Sequence, residues 1–531
     1  MLTQGPTTLT KRQVGEWVLE SGKKYQNPFA DVRVEGVFEE PDGTITTMPA
    51  FYDGQGVWRL RFNPAQEGEW RWRTVATPHD SELEAQGELQ VSGDEVRGYL
   101  CPTPGQGWGL SYESGDPAFI LGDTTYNLFG MAHCDADVES FMQRRVEQGF
   151  NLLRVRVPVS PFHPPRGYSH WQTRRTWPWG GSEQKPLFDR FDLDYFATVD
   201  RVVQAAERLG LGLEVIMEAW GFEYPFNQRD LFVPEWEELW MRYLIARYDA
   251  YNVVYFWTLM NEYEYYPDGD WRYNPVADRW AMRMARWVKA TAPHGHIVAV
   301  HNGPREPSFG RRFALDPEAV DAVMYQDWGT RDAERGWLAA GIEGQIDVGL
   351  HDWGGSAVFA EWGYERNPEF PLNIPGHEFC DEEHTRRGAW RGAFCALGII
   401  HGFDNSWGPF LDLERDQPGL VYLQHVLRFF TEVAPFADLR PQREIVSTPD
   451  MAAEGEAPLA LATEDLATVV IYLPVGGDVS LNLTDHGDYA AQWYDPCTGE
   501  LAPAEQSTGV FRAPQAEQKG HPQDWVLVLQ R

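Results

Sequence analysis

Glu262 and Glu361 are the residues whose setting points most directly to chemistry. Each ends a short, continuously apolar run: Asn252 to Glu262 reads NVVYFWTLMNE, and Ala357 to Glu361 lies within SAVFAEWGYE. Runs with no room for a solvated face suit fully buried parallel strands. A carboxylate at the C-terminal end of each of two such strands equips a site for paired-acid chemistry. One carboxyl group donates a proton to a leaving oxygen and the other stays ionised. Asn261, beside Glu262, adds a neutral hydrogen-bonding group at the same strand end.

The elements that must position these acids can be read outward from them. Short apolar runs recur as AFILGD, NLLRVRVPV, LGLEVIMEAW, NVVYFWTLMNE, HIVAVHN, AVDAVMYQDW, SAVFAEWG and GIIHGFDNSW. Stretches of helical period, such as LDYFATVDRVVQAAERLG and VADRWAMRMARWVKAT, fall between them. Eight strands with helical or irregular crossovers predict an α/β chain built on a (β/α)8 TIM barrel, whose site lies at the C-terminal strand ends. The fourth and seventh strands lie on opposite sides of such a ring, so Glu262 and Glu361 face each other across its mouth. A doubly wound sheet is disfavoured because ILGDTTYNLFG, after the first strand, carries no Gly-rich phosphate loop.

Outside the barrel the period drops to two. GVWRLRFNP and GEWRWRT alternate aromatic or aliphatic residues with Arg and Asn, between turn signals such as Pro41-Asp42-Gly43, and predict an N-terminal β-sandwich over residues 1–98. The Pro/Gly-rich CPTPGQGW marks the passage to a catalytic barrel over 99–435, and LATVVIYLPVGG, DVSLNL and DWVLVLQ predict a second sandwich over 436–531.

Composition narrows the partners. With 45 Lys and Arg against 79 Asp and Glu the formal charge is -34, which argues against nucleic acid or an anionic membrane. The 23 Trp, 22 Tyr and 28 Phe are in keeping with a carbohydrate substrate, because aromatic faces line sugar sites, although most must serve the core. Five scattered cysteines read as free thiols, and no cofactor is called for. No apolar signal segment opens the chain, so as given it is expected to be cytoplasmic, or secreted if a signal peptide has been removed. Self-association is left open.

With these motifs in place, the chain resembles the clan-A glycoside hydrolases. RVEQGFNLLRVRVP, WTLMNEYEY, VFAEWG and HGFDNSWG stand where that clan carries a strand-two Arg, a strand-four Asn-Glu, a strand-seven Glu and a strand-eight Trp. Within the clan it is most similar to the apiosidase-like glycosidases, which join an N-terminal sandwich like that of MPAFYDGQGVWRLRFNP to the barrel. YLPVGGDVSLNL with WYDPCTGE resembles their collagen-binding-type C-terminal sandwich. The resemblance implies Glu262 as general acid/base, Glu361 as nucleophile, Arg154 as the cation beside it and Asn261 as a contact to the sugar 2-hydroxyl. It also implies that Tyr325, on strand six, holds the nucleophile.

Further candidates come from the other strand ends. Arg156 shares a strand face with Arg154. Trp407, Trp220 and Trp328 are candidate sugar platforms, and His301 and Asn302 end strand five. Asp123, His133 and Glu218 end or follow earlier strands and are weighed as hydroxyl ligands or structural hydrogen-bonders. No HxH or HExxH pair occurs among His133, His163, His301 and His401, so no metal is expected.

The expected activity is a retaining β-glycoside hydrolase. The aromatic, basic insertion HPPRGYSHWQTRRTWPWGGSEQKP after strand two would close one end of the cleft and favour exo action or short oligosaccharides, unless it is a packing loop. A non-catalytic carbohydrate-binding or adhesion protein and a metal-dependent hydrolase are the alternatives.

Overall fold

Eight parallel strands close into a barrel in this computed structural model. The structure describes residues 1–93, 96–103, 109–159, 176–270, 272–303, 310–313, 315–327, 330–331, 338–339, 353, 355–367, 380–396, 398–407, 415–447, 455–482, 489–507, 510–518 and 521–531. Counting barrel strands alone, these are β1 (Ile120–Thr124), β2 (Leu152–Arg156), β3 (Gly212–Trp220), β4 (Val254–Asn261), β5 (Ile297–His301), β6 (Ala322–Gln326), β7 (Ser356–Glu361) and β8 (Gly398–His401). Neighbours pair in chain order, and β8 returns to β1 through Ile120 opposite Gly398 and Asp123 opposite His401. Every residue of β1 to β8 is buried, which is why their sequences read as apolar runs without alternation.

The crossovers include helices α1 (Val138–Glu147), α2 (Leu193–Leu209), α3 (Pro234–Tyr248), α4 (Pro275–Thr291) and α5 (Glu382–Ala393), with α6 (Leu420–Arg428) after β8. Local chemistry fixes their ends. The Asp192 carboxylate caps α2 at Tyr195 N, and Gly210, at φ 64°, closes it in the left-handed conformation that glycine adopts without a Cβ penalty. Asn274 caps α4 ahead of Pro275, and Asp381 caps α5 through two backbone N–H groups.

The flanking regions are β-sandwiches, as their two-residue period predicts. The N-terminal one stacks a four-stranded sheet (Leu2–Gln4, Gly15–Glu20, Phe51–Tyr52, Val57–Phe62) on a five-stranded sheet centred on Gly68–Thr77. The C-terminal one is built on a six-stranded sheet centred on Thr468–Leu473 and Trp525–Gln530. Neither hangs free. Phe51 from the first, and Leu459, Val470, Tyr472, Tyr494 and Val526 from the second, belong to the same continuous core as the barrel strands.

Charged side chains lock the seams. Arg61 of the N-terminal sandwich and Arg247 of α3 share Asp200 of α2, each at 2.7 Å. Arg386 of α5 reaches Asp524 of the C-terminal sandwich with Nε at 3.0 Å and Nη2 at 2.8 Å, both residues buried.

Candidate active site

The C-terminal end of β4 delivers Glu262 by an unusual backbone turn. Asn261 is the last strand residue, and Glu262 itself takes φ 52°, ψ 51° before a single 3-10 turn over Tyr263–Tyr265. A non-glycine residue in the left-handed region costs on the order of 1 kcal/mol or more, and such strain gathers where a side chain must be aimed. The loop is anchored behind it: the Tyr263 hydroxyl donates to Asp278 on α4 at 2.8 Å, and Arg312 pairs with Glu264 at 2.7 Å.

Glu262 is 6 % exposed. Its Oε1 accepts from Gln326 Nε2 at 2.9 Å, while Oε2 is buried without a hydrogen-bond partner. Burial first, and the Glu361 carboxylate second, push its pKa well above the usual carboxylate range, against the pull of Gln326 and Arg154. Both effects favour the protonated form of Glu262.

Glu361, at the end of β7, is surrounded by donors. Its Oε2 accepts from Arg154 Nη1 at 3.0 Å and from the Tyr126 hydroxyl at 3.0 Å, with His301 Nε2 at 3.7 Å. His301 is fully buried, and its pKa lies well below the ordinary value because of burial and then the Arg154 cation, which favours the neutral ring. Arg154 joins the two strand ends: the same guanidinium donates through Nη1 to Ala360 O at 3.2 Å and through Nη2 to Asn261 Oδ1. Below it Glu214, in the middle of β3, lies 3.5 Å from Arg154 Nε and accepts from Thr258 Oγ1 at 2.8 Å. The barrel interior thus carries a polar strut under the mouth in place of the usual branched apolar layer. The Asn261 amide Nδ2, buried and unpartnered, is a donor available to a ligand.

Arg156 also reaches the mouth. Its Nη1 bonds Glu223 at 2.9 Å, and its guanidinium lies 4.5 Å from the Trp220 ring centroid and 5.3 Å from that of Tyr126. Trp220 stacks parallel to Phe222 as well, at 5.5 Å and 9°, so its ring faces already serve neighbours of its own chain. Trp407, 4 % exposed, is oriented by its indole N–H on Asp404 at 3.0 Å and packs against Tyr364 at 4.9 Å. Tyr126, Trp220, Tyr364 and Trp407 form one aromatic cluster over the mouth with Ile216.

Tyr325 is not part of this arrangement. The β6–β7 pairing skips a residue between Tyr325 opposite Phe359 and Gln326 opposite Glu361, and this bulge turns Gln326 to the mouth. Tyr325 is buried in the main core, and the charges nearest to it are Arg312 and Glu264. Gln326 is held in turn by Asn302, whose Nδ2 donates to Gln326 O at 3.0 Å. Trp328, His163 and residues 160–175 of the long insertion lie outside the described residues.

The other strand-end candidates bond partners within the protein. Asp123 pairs with Arg145 at 2.7 Å and accepts from Ser406 at 2.8 Å, and His133 bonds Thr198 of α2 at 3.0 Å. Glu218 bonds Arg229 at 2.6 Å on the helix side, where burial pushes its pKa up to about 8. Among the described residues no three His, Cys, Asp or Glu side chains come together so as to hold a metal ion, and no helix is long and apolar enough to cross a membrane.

Sequence reasoning does not reach Tyr126, Tyr364, Gln326 as a ligand of Glu262, or Glu214. Glu214 leaves a signal, a carboxylate inside the apolar run LGLEVIMEAW. Tyr126 and Tyr364 stand in loops where no period marks them.

Comparison with known proteins agrees with this architecture. Residues 106–417 match the family described as "Apiosidase-like, catalytic domain". Residues 8–77 match a domain of unknown function, and 441–530 the "Putative collagen-binding domain of a collagenase". No curated protein matches. Among solved structures, one described as "a putative glycoside hydrolase from Bacteroides vulgatus ATCC 8482" superposes at a TM-score of 0.69 with 16% identity, over 99% of this chain and 100% of that one. A glycoside hydrolase family 5 protein from the same organism gives 0.59 at 17% identity over 82% of this chain and 94% of its own. Another, described as "Glycoside hydrolase", gives 0.57 at 16% over 82% and 97%. At these identities the shared property is the fold, over nearly the whole chain in the first case, and the family match adds the catalytic class: the chain belongs to the apiosidase-like family of glycoside hydrolases.

Proposed function

We propose that the protein is a retaining β-glycoside hydrolase acting on short oligosaccharides or chain ends, with Glu262 as general acid/base and Glu361 as nucleophile. The observation that carries this reading is the opposite treatment of two facing carboxyl groups. Glu262 is buried with a free Oε2 and a raised pKa, while Glu361 is met by a guanidinium at 3.0 Å.

In the first step Glu361 attacks the anomeric carbon as the bond to the glycosidic oxygen breaks, and the Glu262 proton goes to that oxygen. In the second, the Glu262 carboxylate takes a proton from water, whose oxygen attacks the anomeric carbon and releases Glu361. The unpartnered Asn261 Nδ2 supports a contact to the 2-hydroxyl, a bond that would strengthen as charge develops on the ring.

The preference for short substrates rests on the aromatic insertion after β2 closing one end of the cleft, and its later part lies among the described residues. It folds into a hairpin, Trp179–Ser182 with Lys185–Phe191, and Trp177 beside it stacks on Tyr224 beyond β3 at 6.0 Å.

The test is a panel of aryl β-glycosides and plant oligosaccharides, with Glu262→Gln and Glu361→Gln as controls. Each substitution is expected to lower hydrolysis of a good substrate by at least about 10²-fold. Loss in neither variant overturns the assignment. Proton NMR of the first product anomer checks retention.

A further inference from the structure

Tyr126 lies two residues beyond β1, and its ring is fixed on several sides. The Arg154 and Arg156 guanidinium carbons stand 5.1 Å and 5.3 Å from its centroid, and Trp220 meets it edge-on at 5.3 Å. Its hydroxyl donates to Glu361 Oε2 at 3.0 Å and lies 3.1 Å from the Tyr364 hydroxyl. A phenol has one proton to give. With that proton on Glu361, the Tyr126 oxygen accepts from Tyr364, and the order of donation is Tyr364 to Tyr126 to Glu361. A hydroxyl that accepts one hydrogen bond donates a stronger one, because the incoming proton polarises its own O–H.

We propose that Tyr364 is a positioning residue for the nucleophile, acting through Tyr126 along this two-phenol chain. The proposal rests on the reading of Glu361 as nucleophile. It also relocates a task that the family resemblance implies for strand six: β6 supplies Gln326 to the acid, and the loops after β1 and β7 supply the two phenols to the nucleophile. Because the Tyr364 ring packs on Trp407 at 4.9 Å, whatever presses on that indole is felt one bond away from the donor to Glu361.

Among the described residues, the other titratable groups around Glu361 include Arg154 from β2, Glu214 from β3, Glu262 from β4 and His301 from β5. All are unchanged by Tyr→Phe substitutions, so a change in the titration of Glu361 reports on the phenols.

The experiment is a double-mutant cycle on the full chain carrying 13C at glutamate Cδ, with the Glu361 signal assigned by its disappearance in Glu361→Gln. In Tyr126→Phe the titration midpoint of that signal is expected to rise by about one pH unit, the size of one lost hydrogen bond to a charged carboxylate. Tyr364→Phe is expected to raise it by less, and the double variant to match Tyr126→Phe alone. A Tyr364→Phe midpoint equal to wild type overturns the proposal, as does a double variant showing the sum of both shifts. If Tyr126→Phe does not fold, the Tyr364→Phe midpoint alone decides. Covalent trapping of the enzyme separates the two readings, since a label on another carboxylate removes Glu361 as nucleophile while the cycle still reports whether the phenols are linked to it.

Discussion

Gln326 Nε2 donates to Glu262 Oε1 at 2.9 Å, which gives the buried acid one neutral partner and leaves its second oxygen open. The bond favours the ionised carboxylate and so opposes the upward push of burial and of Glu361. Gln326→Leu removes that opposition. The pKa of Glu262 then rises further, and the alkaline limb of kcat/KM is expected to move to higher pH, because the protonated acid persists longer. Loss of orientation lowers the optimum rate by about 10-fold. A pH–rate profile of the variant checks both.

The same raised pKa has a consequence for stability. Folded Glu262 holds its proton above the ordinary value of 4.5, so its contribution to stability is fully present below that value and is lost as pH rises through the folded pKa. Glu262→Gln cannot ionise and escapes the loss. Its Tm is expected to track wild type near pH 4 and to exceed it increasingly from pH 5 to 8, as differential scanning calorimetry across that range would show.

Arg154 balances several groups at once. It lies 3.0 Å from Glu361 and 3.5 Å from Glu214, and it also bonds Asn261, with both Arg154 and Glu214 fully buried. Arg154→Met leaves buried carboxylates uncompensated, at a cost of about 3–5 kcal/mol. Arg154→Lys keeps the charge but loses the fork. Urea unfolding should rank the variants wild type, Lys, Met, with activity at least about 10²-fold down in both.

The C-terminal sandwich is tied to the barrel by a pair that is just as dry. Arg386 and Asp524 are both buried, and the Tyr472 hydroxyl reaches the same carboxylate at 3.2 Å. Arg386→Met should cost about 3–5 kcal/mol and lower the melting transition of the barrel itself, because sandwich and barrel share one core. A variant that loses only a separate, early transition would contradict the shared core.

The barrel was legible because a strand buried on both faces cannot alternate, so all eight announced themselves as short apolar runs. Glu262, Glu361 and Asn261 were legible for the same reason, since a charge or amide at the end of such a run has to be aimed somewhere, whereas Arg154, in the middle of its strand, was reached through the family resemblance. Tyr325 misled because the one-residue slip between β6 and β7 lies in the pairing of two strands a segment apart, and no local pattern encodes it. Tyr126 and Tyr364 stayed hidden because they lie in loops, 238 residues apart in sequence, and meet only when β8 closes on β1. Trp220 read as a sugar platform, and its packing on Arg156 and Phe222 is likewise a tertiary contact without a sequence signature.

The central claim is that Glu361 becomes covalently bonded to the sugar. The direct measurement is mass spectrometry of the enzyme after incubation with the 2-deoxy-2-fluoro, dinitrophenyl form of whichever β-glycoside it hydrolyses fastest, followed by proteolysis and peptide sequencing. The account predicts one fluoroglycosyl group per chain, carried by Glu361 in the peptide containing SAVFAEWG. A label on any other carboxylate, or no adduct together with an inverted first product, would contradict it.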